Sequence, residues 1–347
     1  MAKTVNNAFN EFISNTVNVL STDSNTAKKS RDWLFEQIGL ICDKGYFLKS
    51  VSLYNTSFGS FSRKTKINPL DDVDIIIGLK GGDLEIECNS WNDISLKVKS
   101  DCNDSLILGL SDKLNSWSTN MYLNSNKVKN KLVSALGNIS QYENAEIHAR
   151  GAAVTLKLKS YKWTYDIVPA FYYGGDQYSN PYYIIPNGKG KWQKTNPKLE
   201  QDRVTRLNTK FSGKVLETIR LVKYWNRRGK MPNITSYVLE TIVLDYFDQT
   251  SNHSSSDGKS NDWVDIHFRD SLLYISNNIM GIIQDTKKIQ GNINDLDWNQ
   301  KYKIQQRANN DYKKSSDAVK AELNENDMKK SINLWCDIFG SEFPQYD

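Results

Sequence analysis

Two aspartates alternate with apolar residues at the start of a β-branched run. Asp72 and Asp74 flank Val73 and are followed by Ile75–Ile77. Such a run predicts a β-strand, in which residues i and i+2 point to the same face. Asp72 and Asp74 are therefore expected to project together, about 7 Å apart along the strand. This spacing is poor for two carboxylates that share a proton, but it suits divalent cations held between them.

A glycine and a serine precede this strand and suit a phosphate. Gly59 lets the backbone come close to a phosphate group, and the following amides and the Ser60 hydroxyl can donate to it. Magnesium is the expected cation, because Mg²⁺ binds one or two protein carboxylates and leaves its remaining coordination positions to water and substrate phosphates. Manganese is the other candidate. Alone, each pattern is also typical of an ordinary turn or a solvated strand edge. Together they predict a phosphate-binding turn beside a metal site.

A longer stretch around these residues resembles a known signature. It consists of Gly59-Ser60, Arg63, Thr65 and Pro69-Leu70, followed by Asp72-Val73-Asp74. The pattern resembles that of the template-independent nucleotidyltransferases of the DNA polymerase β-like superfamily. It is most similar to the branch that contains cyclic GMP-AMP synthase, oligoadenylate synthetase and the bacterial CD-NTases of antiphage signalling.

The resemblance implies an α/β (α+β) fold, with a polymerase β-like nucleotidyltransferase core around a mixed sheet and a C-terminal helical lobe. We expect residues 1–200 to form the N-terminal nucleotidyltransferase lobe, including an N-terminal helical spine. Residues 201–347 are expected to form the helical lobe.

A third carboxylate, Asp166, lies in the predicted strand Lys162–Phe171. An aspartate buried without a partner in an apolar strand is costly, so it needs a cation or hydrogen-bond donors. Neighbouring backbone donors would satisfy it as well as a metal would. The resemblance implies the metal, because Asp166 matches the third metal-binding carboxylate of the family in a similar Asp-hydrophobic-hydrophobic-Pro-Ala context.

Further nucleotide contacts are implied downstream. Lys223 lies at the border of the apolar stripe of a predicted helix, roughly Gly213 to Arg228, where a lysine that extends along the surface is equally typical. The resemblance implies that Lys223 contacts the triphosphate. Ser236, at or next to the N-cap of the following helix, would approach the triphosphate or serve as a plain cap, and Tyr237 would stack on a base. The predicted nucleotide-binding residues are Gly59, Ser60, Arg63, Lys223, Ser236 and Tyr237.

Composition limits the partners. The 347 residues carry a net charge of +5, which is consistent with nucleoside triphosphates but too small to demand a long nucleic acid. The four cysteines form no C-x-x-C pair, and the three histidines complete no zinc pattern.

No leader pattern and no apolar run of roughly 18 residues is present, so we expect no membrane association and a cytoplasmic location. The serine-rich stretch 251–262 is typical of a mobile surface loop.

The resemblance implies a cyclic oligonucleotide second-messenger synthase that uses nucleoside triphosphates, ATP among them. Asp72, Asp74 and Asp166 would bind two Mg²⁺ or Mn²⁺ ions for nucleotidyl transfer with pyrophosphate release. The resemblance further implies antiphage signalling (CBASS) through a product-activated effector protein. Two alternatives stay open: a linear oligonucleotide synthetase or RNA/tRNA-end nucleotidyltransferase, and a catalytically inactive nucleotide-binding or nucleic-acid-sensing protein.

Overall fold

The chain forms two compact units. The computed structural model describes residues 2–177, 180–229, 232–250 and 263–347. The sheet unit comprises Ser21–Ser62 and Leu70–Pro197. The helical unit comprises Met1–Leu20, Arg63–Pro69 and Lys198–Asp347. The serine-rich stretch 251–262, for which the sequence predicts a surface loop, lies outside the described residues.

The α-helices are α1 (Val5–Phe12), α2 (Ser21–Asp43), α3 (Gly59–Ser62), α4 (Ser105–Gly109), α5 (Ser125–Leu136), α6 (Pro197–Lys210), α7 (Lys214–Arg227), α8 (Ser236–Thr250), α9 (Val264–Asn278), α10 (Trp298–Leu323) and α11 (Met328–Phe339). The strands are β1 (Thr56–Phe58), β2 (Asp72–Leu79), β3 (Leu84–Ser90), β4 (Asp93–Val98), β5 (Ser111–Lys113), β6 (Met121–Leu123), β7 (Glu146–Arg150), β8 (Ala153–Lys157), β9 (Thr164–Tyr173), β10 (Tyr182–Pro186) and β11 (Trp192–Thr195). None of the described helices is long and apolar enough to cross a lipid bilayer.

The strands pair into one mixed sheet in the order β1-β2-β9-β10-β11-β4-β6-β5, with β3 on β4 and β8 joining β7 to β9. The central pair, β2 and β9, is parallel, whereas β1 and β8 pair with them antiparallel. Val73, Ile75 and Ile77 of β2 are buried, and the aspartates alternate with them at the start of the strand, as the period-two pattern predicts. The mixed sheet and the C-terminal helices confirm the predicted fold class.

The helical unit draws on distant parts of the sequence. The aromatic side of α1 packs against the end of the chain, with the Phe9 and Trp335 ring centroids 4.9 Å apart. Arg63–Pro69 also groups with this unit, although the sequence-based division placed residues 1–200 in one lobe. Helical periodicity shows that α1 has an apolar face but does not show which residues cover it. The chain enters the helical unit again after Pro197, near the predicted boundary at residue 200, and the division into functional lobes stays a prediction.

Candidate active site

Strand register brings the predicted carboxylates together in the sheet unit. Asp74 of β2 lies directly opposite Asp166 of β9 in the parallel pair, and Asp72 lies opposite Thr164. Paired residues of adjacent strands point to the same face and are separated by about 4.8 Å of backbone. Asp72, Asp74 and Asp166 therefore share one face of the sheet, and all three are half-buried.

A threonine orients the third carboxylate. Thr155 of β8 lies opposite Asp166, and its hydroxyl donates to Asp166 Oδ1 at 2.7 Å. The sequence analysis missed Thr155. Its place in a strand follows from the alternating pattern, but its pairing with Asp166 depends on a register that the pattern does not specify.

Gly59 lies against the second carboxylate. It follows Phe58, which pairs with Asp74, and its φ of +71° belongs to the left-handed region that favours glycine. A Cβ atom at Gly59 would lie 1.8 Å from Asp74 Oδ2, so the carboxylate occupies the space that any side chain would need. The turn thus requires glycine for two independent reasons, its backbone angle and its contact with Asp74.

Two side chains form hydrogen bonds with Ser57, which lies just before the turn. Ser62, the last residue of α3, donates its hydroxyl to the Ser57 carbonyl at 3.1 Å. Arg31 of α2 donates from Nη1 to the Ser57 hydroxyl at 3.1 Å and forms an ion pair with Asp32. Ser60 is half-buried next to Gly59. Arg31 and Ser57 were not predicted, because neither lies in the signature stretch.

The donor chemistry of the three aspartates fits a hard divalent cation. Carboxylate oxygens are the ligands that Mg²⁺ and Mn²⁺ prefer. Within the described part of the chain, no group of three or more His, Cys, Asp or Glu side chains converges closely enough to form a metal cluster. The fit therefore rests on strand register, which places Asp74 beside Asp166 with Asp72 on the same face.

The predicted Arg63 is part of a buried ion-pair network in the helical unit. Its Nη1 atom lies 2.5 Å from Glu200 Oε2, and its Nε atom lies 3.0 Å from Glu240 Oε2. Glu200 also accepts from the Lys287 ammonium at 3.0 Å. The network was not predicted, since the spacing of Glu200 on α6 and Glu240 on α8 gives no sign of a shared partner. A contact between Arg63 and a nucleotide stays a prediction.

Lys223 is buried rather than extended along the surface. Only 6% of its side chain is exposed, and its ammonium lies 2.5 Å from Glu240 Oε1 and donates to the Thr65 carbonyl at 3.1 Å. Burial lowers the pKa of Lys223, against the opposing effect of Glu240. Burial also acts to raise the pKa of Glu240, but Arg63 and Lys223 outweigh it and hold that pKa below its ordinary value. A triphosphate contact by Lys223 stays a prediction.

Ser236 and Tyr237 begin α8, as predicted from the capping pattern. Ser236 is the first helical residue, which puts Thr235 at the N-cap position. The Tyr237 hydroxyl donates to Asp285 Oδ1, and the Lys287 ammonium lies 3.8 Å from the centroid of the Tyr237 ring. Burial raises the pKa of the Tyr237 phenol, and the nearby charge of Glu200 adds to this. One face of the ring thus carries a cation, and base stacking by Tyr237 stays a prediction.

Comparisons with known proteins give one full-length relative. A probable cyclic nucleotide synthase of Bacillus cereus (strain VD146) is 37% identical over 354 residues, and the match covers 100% of both chains. No profile of a known protein family matches the chain.

Solved structures with similar folds include the bacterial proteins CdnC and DncV. CdnC of Escherichia coli MS115-1 with ATP has a TM-score of 0.67 at 15% identity, with 98% of each chain covered. The complex of that CdnC with HORMA-deltaN gives 0.65 at 16% identity, again with 98% of each chain covered. The GTP-bound form of Vibrio cholerae DncV gives 0.64 at 10% identity, with 99% of this chain and 96% of DncV covered.

Proposed function

Because the chain belongs to the bacterial CD-NTase family of cyclic nucleotide synthases, we propose that it joins nucleoside triphosphates into a cyclic oligonucleotide with Asp72, Asp74 and Asp166 as its catalytic carboxylates. The observation that carries this proposal is the register of β2 and β9. It places Asp74 opposite Asp166, with Asp72 on the same face of the sheet. Its 37% identity to the full-length relative, together with the fold of the structural neighbours, identifies the chain as a nucleotidyltransferase.

The three carboxylates would hold two Mg²⁺ or Mn²⁺ ions. When bound, such ions act as Lewis acids for the attacking hydroxyl and neutralise charge on the leaving pyrophosphate. In this chain, Thr155 keeps one oxygen of Asp166 oriented through its hydroxyl. Gly59 has no side chain and so leaves room for the Asp74 carboxylate, whose Oδ2 atom occupies the space that a Cβ would need. The Thr155 hydroxyl fixes a ligand oxygen of Asp166 in advance, which reduces the reorganisation that binding requires.

Gly59 and Ser60 are proposed to bind the β and γ phosphates of the donor. A glycine with positive φ exposes the following amides, and the Ser60 hydroxyl adds a donor. Arg63, Lys223, Ser236 and Tyr237 are proposed as the nucleotide-binding residues of the helical unit. We propose ATP as one substrate, a choice supported by the ATP-bound CdnC structure.

The biological setting is also a proposal. We propose that the protein acts in antiphage signalling (CBASS), as a cytoplasmic enzyme whose product activates an effector protein. The CdnC structure solved together with HORMA-deltaN shows that a related fold binds a protein partner.

A product analysis tests the proposed function. Purified protein is incubated with all four labelled nucleoside triphosphates and Mg²⁺ or Mn²⁺, treated with phosphatase, and resolved by chromatography and mass spectrometry. A phosphatase-resistant product without terminal phosphates is expected, and its mass identifies the bases and the ring size. Phosphatase-sensitive oligomers would instead indicate a linear synthetase. A product only after addition of tRNA would indicate an end-adding nucleotidyltransferase.

A further inference from the structure

Basic side chains on one face of α7 bind backbone carbonyls of Arg63–Pro69, which we call the inserted segment. The three donor–acceptor pairs are Arg220 Nη1 to Lys64 O at 3.4 Å, Lys223 Nζ to Thr65 O at 3.1 Å, and Arg227 Nη1 to Asn68 O at 2.7 Å. The donors are spaced three and four residues apart, so they lie on one side of the helix. All of these residues belong to the helical unit.

These donors bind carbonyl groups of a segment that has little regular structure of its own. The inserted segment forms no helix or strand, and an isolated bridge pairs Ile67 with Asn18. Thr65 is fully buried, so its carbonyl needs a partner within the protein. The ammonium of Lys223 supplies that partner from a side chain that is itself 6% exposed.

Glu240 fixes the direction of the lysine. Its two oxygens bind different cations: Oε1 lies 2.5 Å from Lys223 Nζ, and Oε2 lies 3.0 Å from Arg63 Nε. Arg63 is the first residue of the inserted segment, and it is also paired with Glu200 of α6. Helices α6, α7 and α8 therefore all hold the beginning of this segment.

The inserted segment is continuous with the proposed phosphate-binding turn. Arg63 directly follows Ser62, the last residue of α3, and α3 begins at Gly59. We propose that Lys223 and Glu240 are positioning residues, which fix the inserted segment and thereby the conformation of the turn that binds the triphosphate. This inference rests on the phosphate-binding role proposed for Gly59 and Ser60. It gives the Lys223 ammonium, which has three donors, a contact with the Thr65 backbone in addition to its proposed contact with the nucleotide.

The inference is tested with Lys223→Met, Glu240→Gln and the double variant in the full chain. Hydrogen exchange measures the protection of amides in peptides that cover residues 60–70, and steady-state kinetics measures KM for ATP and kcat. Each single variant is expected to speed exchange in this region and to raise KM roughly tenfold with a smaller change in kcat. The double variant should be little worse than either single variant, because both remove the same support.

Lys214→Met is the matched control. Lys214 lies on the same helix and pairs with Glu217 at 2.9 Å, and it makes none of the three carbonyl contacts. It should leave exchange in residues 60–70 and KM unchanged. Arg227→Met is a second variant in case the buried substitutions prevent folding, since Arg227 is exposed and binds Asn68 O. It should also speed exchange in the inserted segment.

If Lys223 only binds the triphosphate and does not support the inserted segment, the pattern is different. Glu240→Gln would then release the ammonium for the substrate and lower KM or leave it unchanged. Exchange in residues 60–70 would stay at the parent rate in every variant, and either result would overturn the inference. If the parent protein makes no cyclic product, the proposed function fails, whereas the exchange measurements still decide whether Lys223 and Glu240 hold the segment.

Discussion

Asp74 and Asp166 are direct neighbours across the parallel strands β2 and β9, although they are far apart in the sequence. Gly59 approaches the first of these carboxylates, and Thr155 donates to the second. Each of these two carboxylates thus has a specific structural neighbour that can be altered without removing the carboxylate itself. This relationship allows the site to be tested in parts.

Replacing Asp74 by Asn should abolish synthesis while the fold is retained. The amide has nearly the same shape but lacks the charge that a divalent cation requires, so kcat should fall by at least about a thousandfold. The change is measured as the rate of product formation, and thermal unfolding reports the fold. Asp112→Asn is the control, because Asp112 is an exposed acid of the same sheet that pairs with Lys127. Near-normal turnover in Asp74→Asn would remove Asp74 from the catalytic set.

Replacing Gly59 by Ala should separate backbone strain from the contact with Asp74. The substitution places a Cβ 1.8 Å from Asp74 Oδ2, so the carboxylate must move and activity should be lost. Gly45→Ala is a matched control, because Gly45 has a φ of +77° in the same unit with open space around its missing Cβ. Both variants should lose about 1–2 kcal/mol of unfolding free energy, since alanine is strained at positive φ. Equal activity in the two variants would contradict the role of the Gly59 contact.

The local part of this site could be predicted from the sequence. Asp72 and Asp74 fall in a period-two pattern that fixes their common face, and the signature stretch led to the family and fold class that the comparisons confirm. The register of β2 against β9, and with it the pairing of Asp74 with Asp166, is a non-local choice that no single strand encodes.

Charged partners were harder to predict than apolar ones. The pattern of α7 places Lys223 at the edge of an apolar stripe, but it does not indicate Glu240, which lies on another helix and keeps the ammonium buried. The same holds for Arg63, whose two carboxylates come from α6 and α8. A buried charge depends on partners that tertiary packing supplies, so its position follows from the whole fold.

The stability contributed by Glu240 should disappear in acid. Its pKa is held below its ordinary value of 4.5 by Arg63 and Lys223, despite burial. A lowered carboxyl pKa stabilises the folded state above the unfolded-state value, and this contribution is lost as the pH falls from about 4.5 through the folded-state pKa. At pH 7, the free energy of unfolding of the parent protein should therefore be about 3 kcal/mol higher than that of Glu240→Gln.

Urea unfolding of both proteins from pH 7 to pH 3 measures this difference. The stability advantage of the parent should shrink steadily below pH 4.5. An advantage that is independent of pH would mean that packing, rather than charge, accounts for the role of Glu240.

Tyr237 offers separate tests of its hydroxyl and its ring. Tyr237→Phe removes the donor to Asp285 but keeps the ring, so stability should fall by about 1.5–3 kcal/mol, as for a hydrogen bond to a charged group. KM for ATP should stay within about twofold if the ring is what contacts the base. Tyr237→Leu removes the ring as well and should raise KM roughly tenfold, because stacking on a base contributes about 1–3 kcal/mol. Equal KM values for the two variants would exclude base stacking by Tyr237.

Thr155 should control how tightly the site binds its metal. Its hydroxyl donates to Asp166 Oδ1 at 2.7 Å, so Thr155→Val leaves a side chain of similar shape while removing the donor that orients the carboxylate. Loss of such a supporting hydrogen bond typically weakens metal binding by roughly tenfold or more. The Mg²⁺ concentration for half-maximal synthesis should rise accordingly, and saturating Mg²⁺ should restore most of kcat. Thr155→Ser keeps the donor and serves as the control. If Thr155→Val lowers kcat equally at every Mg²⁺ concentration, the hydroxyl acts on the reaction itself and not through the binding of the ion by Asp166.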